Sequence, residues 1–92
     1  MVETQMVSDV RFSAARAEDV ITGLLGWIAF TIDDTLRLDG VALRRTAEGR
    51  LTLSFPARTD RQGRQHPLVR PLGDAARRHI EREVFRALGL EE

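Results

Sequence analysis

Cysteine, lysine and tyrosine are missing from this 92-residue chain, and tryptophan occurs once. The lack of cysteine removes disulfides, thiolate metal sites and a cysteine nucleophile together, and it fits a cytosolic protein. The longest apolar stretch, Val20 to Ile32, is shorter than the roughly 20 residues a membrane-spanning helix needs. The first twenty residues carry Glu3, Asp9, Glu18 and Asp19 and no apolar run, so no secretory signal is expected. These absences describe a soluble, cytoplasmic protein that neither enters nor crosses a membrane. Its length fits one domain spanning residues 1–92, with residues 1–5 and 90–92 as flexible ends. A chain this short buries only roughly 60–65% of the surface its unfolded form exposes, so pairing with a second copy is the expected way to add core.

What is abundant is arginine. All fourteen basic residues are Arg, and fourteen acids balance them to zero net charge. A GC-rich coding sequence accounts for the Arg preference on its own, although guanidinium forks also suit phosphates and base edges. The distribution says more than the total. Residues 58–86 hold eight arginines against Asp60, Asp74, Glu81 and Glu83, a net of +4. Residues 1–57 are at −2, and residues 87–92 are at −2 through Glu91 and Glu92. A charge polarised in this way points to an anionic partner.

Hydrophobic period gives the elements. Val7 to Ala14 alternates, with Val10, Phe12 and Ala14 on one face, and reads as a half-buried strand. Ala15 to Gly23 reads as a polar loop. Leu24 to Asp33 is apolar on both faces, with Ile28, Phe30 and Ile32 opposite Trp27 and Ala29; this predicts a central strand covered from two sides. Asp33-Asp34 turns the chain into Leu36 to Arg45, where Asp39-Gly40 predicts a bulge. Ala47-Glu48-Gly49 is a turn before the alternating Leu51, Leu53 and Phe55, and Pro56 ends that ladder. Pro71 to Gly89 is the one convincing helix, with Asp74 as N-cap or first-turn acid and Gly89 just past its end. Ala76, Ile80, Val84, Ala87 and Leu88 form its core arc; Phe85 lies off that arc, either a partly buried flank or a dimer contact. The expected fold is α+β: an antiparallel meander of four to five strands with a C-terminal helix, dimeric.

Several short segments, in order, resemble the SpoVG family of bacterial septation and sporulation regulators. Ser8-Asp9-Val10-Arg11 resembles the family's first strand, and Ala29-Phe30-Thr31-Ile32-Asp33 its second. Phe55-Pro56-Ala57-Arg58 is similar to a Met-Pro-Ser-Lys/Arg step, followed by a polar turn with Gly63 and then His66-Pro67-Leu68. The resemblance spans roughly Val7 to Gly89. It implies a small dimeric domain that binds nucleic acid as a regulator, with no catalysis and no cofactor. Residues 34–41 match loosely, Ala57 stands where a small polar residue is usual, and the turn after Arg58 is short.

Nucleic-acid binding needs cations along a track and neutral donors to fix register. The candidates are Arg58, Arg61, Arg64 and Arg70 in the loop, Arg78, Arg82 and Arg86 on the helix, and Thr59, Gln62, Gln65 and His66 as donors. Loop and helix arginines form one continuous surface if the loop folds beside the helix. The bland alternative is a solvated helix face knitted by Asp74–Arg78 and Arg78–Glu81 pairs. Against it, Arg78, Arg82 and Arg86 repel at i, i+4 spacing, which costs a few tenths of a kcal/mol per pair. With Trp27 in a covered strand and no tyrosine, a stacking sheet for RNA is not expected. His66, His79 and a carboxylate are the only metal candidates and lack ligand spacing, so no metal is expected. Asp33, Asp34 and Asp39 fit turn chemistry better than catalysis. The expected protein is therefore not an enzyme and acts on no small-molecule substrate; DNA or RNA is its partner. A second reading is a dimeric interaction module that docks on an acidic protein partner through Phe85.

Overall fold

The computed structural model describes residues 6–90, so the flexible end expected at 1–5, and residues 91–92 of the one expected at 90–92, fall outside the described residues. Four strands, β1 (Val7–Ala14), β2 (Leu24–Ile32), β3 (Leu36–Arg45) and β4 (Leu51–Ser54), form one antiparallel sheet in chain order. A single helical turn, α1 (Ala17–Val20), occupies what reads as loop between β1 and β2. Two short strands the sequence does not announce, β5 (Ala57–Thr59) and β6 (Gln65–Pro67), make a separate hairpin. The helix α2 (Asp74–Leu88) follows. The meander and C-terminal helix are thus present as expected, in an α+β arrangement.

Register explains which side chains face α2. Ile28 and Phe30 of β2 pair with Val41 and Leu38 of β3, and Leu43 pairs with Leu53 of β4; all six are buried. Three β3 steps oppose two β2 steps between those first two pairs, which places a bulge at the expected Asp39-Gly40. A second bulge in β1, between Ser8 and Arg11, has no glycine to signal it: Asp9 itself adopts a φ of 47°. Its effect is to send both Val7 and Val10 toward the core, which strict alternation would divide.

The expectation of a two-sided cover for β2 is corrected. The described residues hold one long helix, and it lies over one face of the sheet, so Trp27 on the other face keeps 46% of its surface exposed. The helix face is corrected too. Ile80, Val84 and Phe85 are its buried residues, Leu88 is half-buried and Ala87 is exposed. Phe85, at 9% exposure, belongs to the core and is neither a flank nor a contact for a partner. An aromatic ring buries far more apolar area than a methyl group, so the helix rolls toward Phe85 at the expense of Ala87.

Both helix ends follow local chemistry. Asp74 sits in the first turn after Gly73. At the other end Gly89 is left-handed; its N–H donates to Arg86 C=O at 3.1 Å and the Leu90 N–H to Phe85 C=O at 2.7 Å. This Schellman pair draws Leu90 onto the core, so Leu90 is not part of a loose tail.

The free edge of β4 is closed by side chains of α2. Glu81 accepts from the Leu53 N–H at 3.0 Å and from Thr52 Oγ1 at 3.2 Å. Arg77 donates to the Leu53 carbonyl and to Thr52 Oγ1, and its guanidinium lies 5.8 Å from the centre of the Phe55 ring. One i, i+4 pair thereby supplies the donor and acceptor a fifth strand would offer, which blunts an otherwise sticky edge.

Candidate nucleic-acid interface

The segment after Pro56 is an ordered hairpin rather than a slack turn, and Asp60 organises it. Its N–H donates to Arg64 C=O at 2.9 Å, and its C=O accepts from Gly63 N–H at 3.0 Å. Gly63 takes a φ of 82°, the position in a four-residue turn that favours glycine. The Asp60 carboxylate accepts from the backbone N–H groups of Gln62 and Arg64, each at 2.9 Å, and from His66 Nε2 at 2.8 Å. Arg64 Nε lies 3.4 Å from the same carboxylate. The His66 bond first, then the Arg64 amide, hold the Asp60 carboxyl below the usual carboxylate range.

Cross-strand register divides the predicted donors. Arg58 stands opposite His66 and Thr59 opposite Gln65, so the two pairs face opposite sides of the hairpin. Arg58, Arg61 and Gln62 are exposed, and no ion pair engages Arg58 or Arg61 among the described residues. His66 is engaged by Asp60, which gives it a role in shaping the hairpin. Pro56 C=O accepts from Leu68 N–H at 3.0 Å, which ties the hairpin base to the chain that leads into α2.

The helix arginines behave differently from the bland alternative. Neither Asp74–Arg78 nor Arg78–Glu81 forms an ion pair, because Glu81 is turned toward β4. Arg86 pairs with Glu83 at 3.0 Å. Arg78, Arg82 and Arg86 line a groove of about 440 Å3 together with Arg50 from the β3–β4 turn, over Leu51 and Phe85. Arg50 was not among the sequence candidates; its approach to α2 depends on how the meander curls, which no local signal records. Arg70 lies elsewhere, in a recess of about 310 Å3 with Asp33, Thr35 and Ile80. The one surface expected from loop and helix is thus grouped in three places: hairpin, Arg70 recess and helix groove.

The uncovered sheet face carries a fourth group. Trp27 stands between Ser13 of β1 and Ala42 of β3, with Arg11 and Arg44 two residues along from those partners. Arg11 and Arg37 both bind Asp9, at 2.8 and 3.2 Å, while Arg44 has no side-chain partner among the described residues. The reason for discounting a stacking aromatic, a covered Trp27, does not hold, although one ring is far from a full platform.

The acidic turn is structural in its bonding. Asp33 and Asp34 each take a φ of 53°, and Asp33 Oδ1 accepts the Met6 N–H at 2.8 Å, pinning the start of β1. Among the described residues, no three His, Asp or Glu side chains converge as a metal site requires. No described helix is long and apolar enough to cross a membrane. Compared with known proteins, the chain matches no family model and no curated sequence.

Proposed function

We propose that this chain is a cytoplasmic, non-catalytic regulator that binds DNA or RNA as a homodimer, without metal or cofactor. The hairpin β5–β6 and the outer arginines of α2 carry the contacts. One observation carries the reading: within residues 58–86 three of the four acids are engaged in structure, while five of the eight arginines are not. Asp60 holds the turn, Glu81 holds the β4 edge and Glu83 holds Arg86. Arg58, Arg61, Arg70, Arg78 and Arg82 have no partner among the described residues. Unneutralised guanidiniums on a rigid scaffold are the arrangement that captures phosphates. The resemblance to the SpoVG regulators points the same way.

A homodimer is supported by exposed aliphatic residues beside the Arg70 recess: Leu36, Val69 and Leu72, the last 97% exposed. Apolar surface gathered in this way on a small domain marks a contact. The acidic-partner reading loses its apolar anchor, since Phe85 is buried. The test is Arg58→Ala with Arg61→Ala, measured against double-stranded DNA and single-stranded RNA. Affinity falls at least about tenfold with the thermal midpoint unchanged, since charged contacts to phosphate are worth roughly 1.5–3 kcal/mol each. Unchanged affinity removes the hairpin from the mechanism.

A further inference from the structure

The groove beside the outer face of α2 is built like a small-ligand site. Its volume of about 440 Å3 falls within the roughly 300–1,000 Å3 of typical ligand pockets. Its cations converge from two elements far apart in the chain, Arg50 from the β3–β4 turn and Arg78 and Arg82 from the helix. No hydrogen bond or ion pair holds any of these three side chains among the described residues. The acids near them are committed: Glu81 to the Leu53 N–H and Arg77, and Glu83 to Arg86. Leu51 and Phe85 supply the apolar part of the groove's lining. Glu81 also lines the groove, but its carboxylate is bonded to the Leu53 N–H and Arg77 and pairs with none of the three. Like charges at i, i+4 repel, and here a third cation joins them. A solvated helix face has no need of that; an anion with several negative charges relieves it.

We propose that this groove binds a small ligand whose linked phosphates sit on an apolar or aromatic body, the chemistry of a nucleoside di- or triphosphate. Arg50, Arg78 and Arg82 take the phosphate oxygens, and Leu51 with Phe85 supports the body. This goes beyond the nucleic-acid reading: Arg78 and Arg82 serve both, whereas Arg50, Leu51 and Phe85 belong to the groove alone and the hairpin has no part in it. Linked phosphates come from two sources, a free nucleotide or the triphosphorylated 5′ end of an RNA strand.

The experiment is calorimetric titration of the full chain at about 150 mM salt, where weak surface pairing is screened. The probes are AMP, ADP and ATP, together with one RNA oligonucleotide carrying either a 5′-triphosphate or a 5′-hydroxyl. ADP and ATP are expected to bind about tenfold or more tightly than AMP, because the linked phosphates add charge-assisted hydrogen bonds. Arg50→Ala and Arg82→Ala each lower ADP affinity about tenfold or more, and Arg82→Lys lowers it as well because the planar fork is lost. Thermal midpoints stay unchanged, as these side chains are exposed. The Arg58→Ala, Arg61→Ala variant keeps ADP affinity, so failure of the hairpin reading and failure of this one are separate results. A preference for triphosphorylated RNA over free ATP, abolished by Arg50→Ala, assigns the site to RNA ends; free ATP binding as tightly assigns it to nucleotides. The proposal is overturned if linked phosphates improve neither nucleotide nor RNA binding, or if Arg50→Ala leaves the improvement intact.

Discussion

Arg77 and Arg78 are adjacent in sequence and opposite in role. Arg77 turns inward, pairs with Glu81 and closes the edge of β4; Arg78 turns outward and has no partner among the described residues. The 100° between consecutive helical residues makes this difference. It teaches that an arginine count says little until each guanidinium is assigned to an acid, a backbone carbonyl or nothing. On α2 the inner pair serves the fold, and Arg78 and Arg82 of the outer stripe are left unpaired among the described residues.

The most severe way to break that division is to remove what orients the helix. Phe85→Ala is expected to cost about 3–5 kcal/mol of stability in a denaturant titration, the usual range for a large core residue. A loss below about 1 kcal/mol would mean that the ring is not packed and the inner face is wrongly drawn.

Glu81→Ala comes next. It strands the Leu53 N–H and leaves Arg77 without its carboxylate, an expected loss of about 1–3 kcal/mol. Because the edge of β4 is then open, concentration-dependent association should accompany it in light scattering. Arg78→Ala sharpens the contrast: stability should stay within about 0.5 kcal/mol, while affinity for nucleic acid and for ADP falls. Equal effects of the two substitutions on stability would erase the distinction between the faces.

The smallest expected effect is local and depends on pH. Asp60 has a folded pKa below its unfolded value of about 3.9, so its contribution to the hairpin is present above that value and declines as pH falls through the folded pKa. Amide exchange of Gln62 and Arg64 should therefore stay protected at pH 5 and lose protection only in stronger acid, with Asp60→Asn already less protected at pH 5. Exchange unaffected by either change would show that the turn holds without its carboxylate.

Much of this fold is legible in the sequence because period-2 alternation and turn residues coincide. Asp39-Gly40 announces its bulge; Asp9, with no glycine, does not. The hairpin β5–β6 escapes a reading of periodicity because three residues a side, two of them His66 and Pro67, carry no alternation. Phe85 is misjudged when every apolar residue on a helical wheel counts alike, since ring size decides how the helix rolls. Trp27 had a usable signal: one helix covers one face of a sheet, so an apolar residue on the other face must stay open or find a partner. The charged stretch from Arg58 to Arg86 is visible as a whole, but its division among hairpin, recess and groove depends on tertiary contacts such as Arg50 against α2.

The most direct test of the central claim is a salt titration of binding to generic double-stranded DNA and single-stranded RNA. Four or more neutralised phosphates predict a log–log slope of about −3 or steeper, with the tighter ligand naming the target class. No binding to either at low salt would contradict the account and leave the outer arginines of α2 as a solvated face.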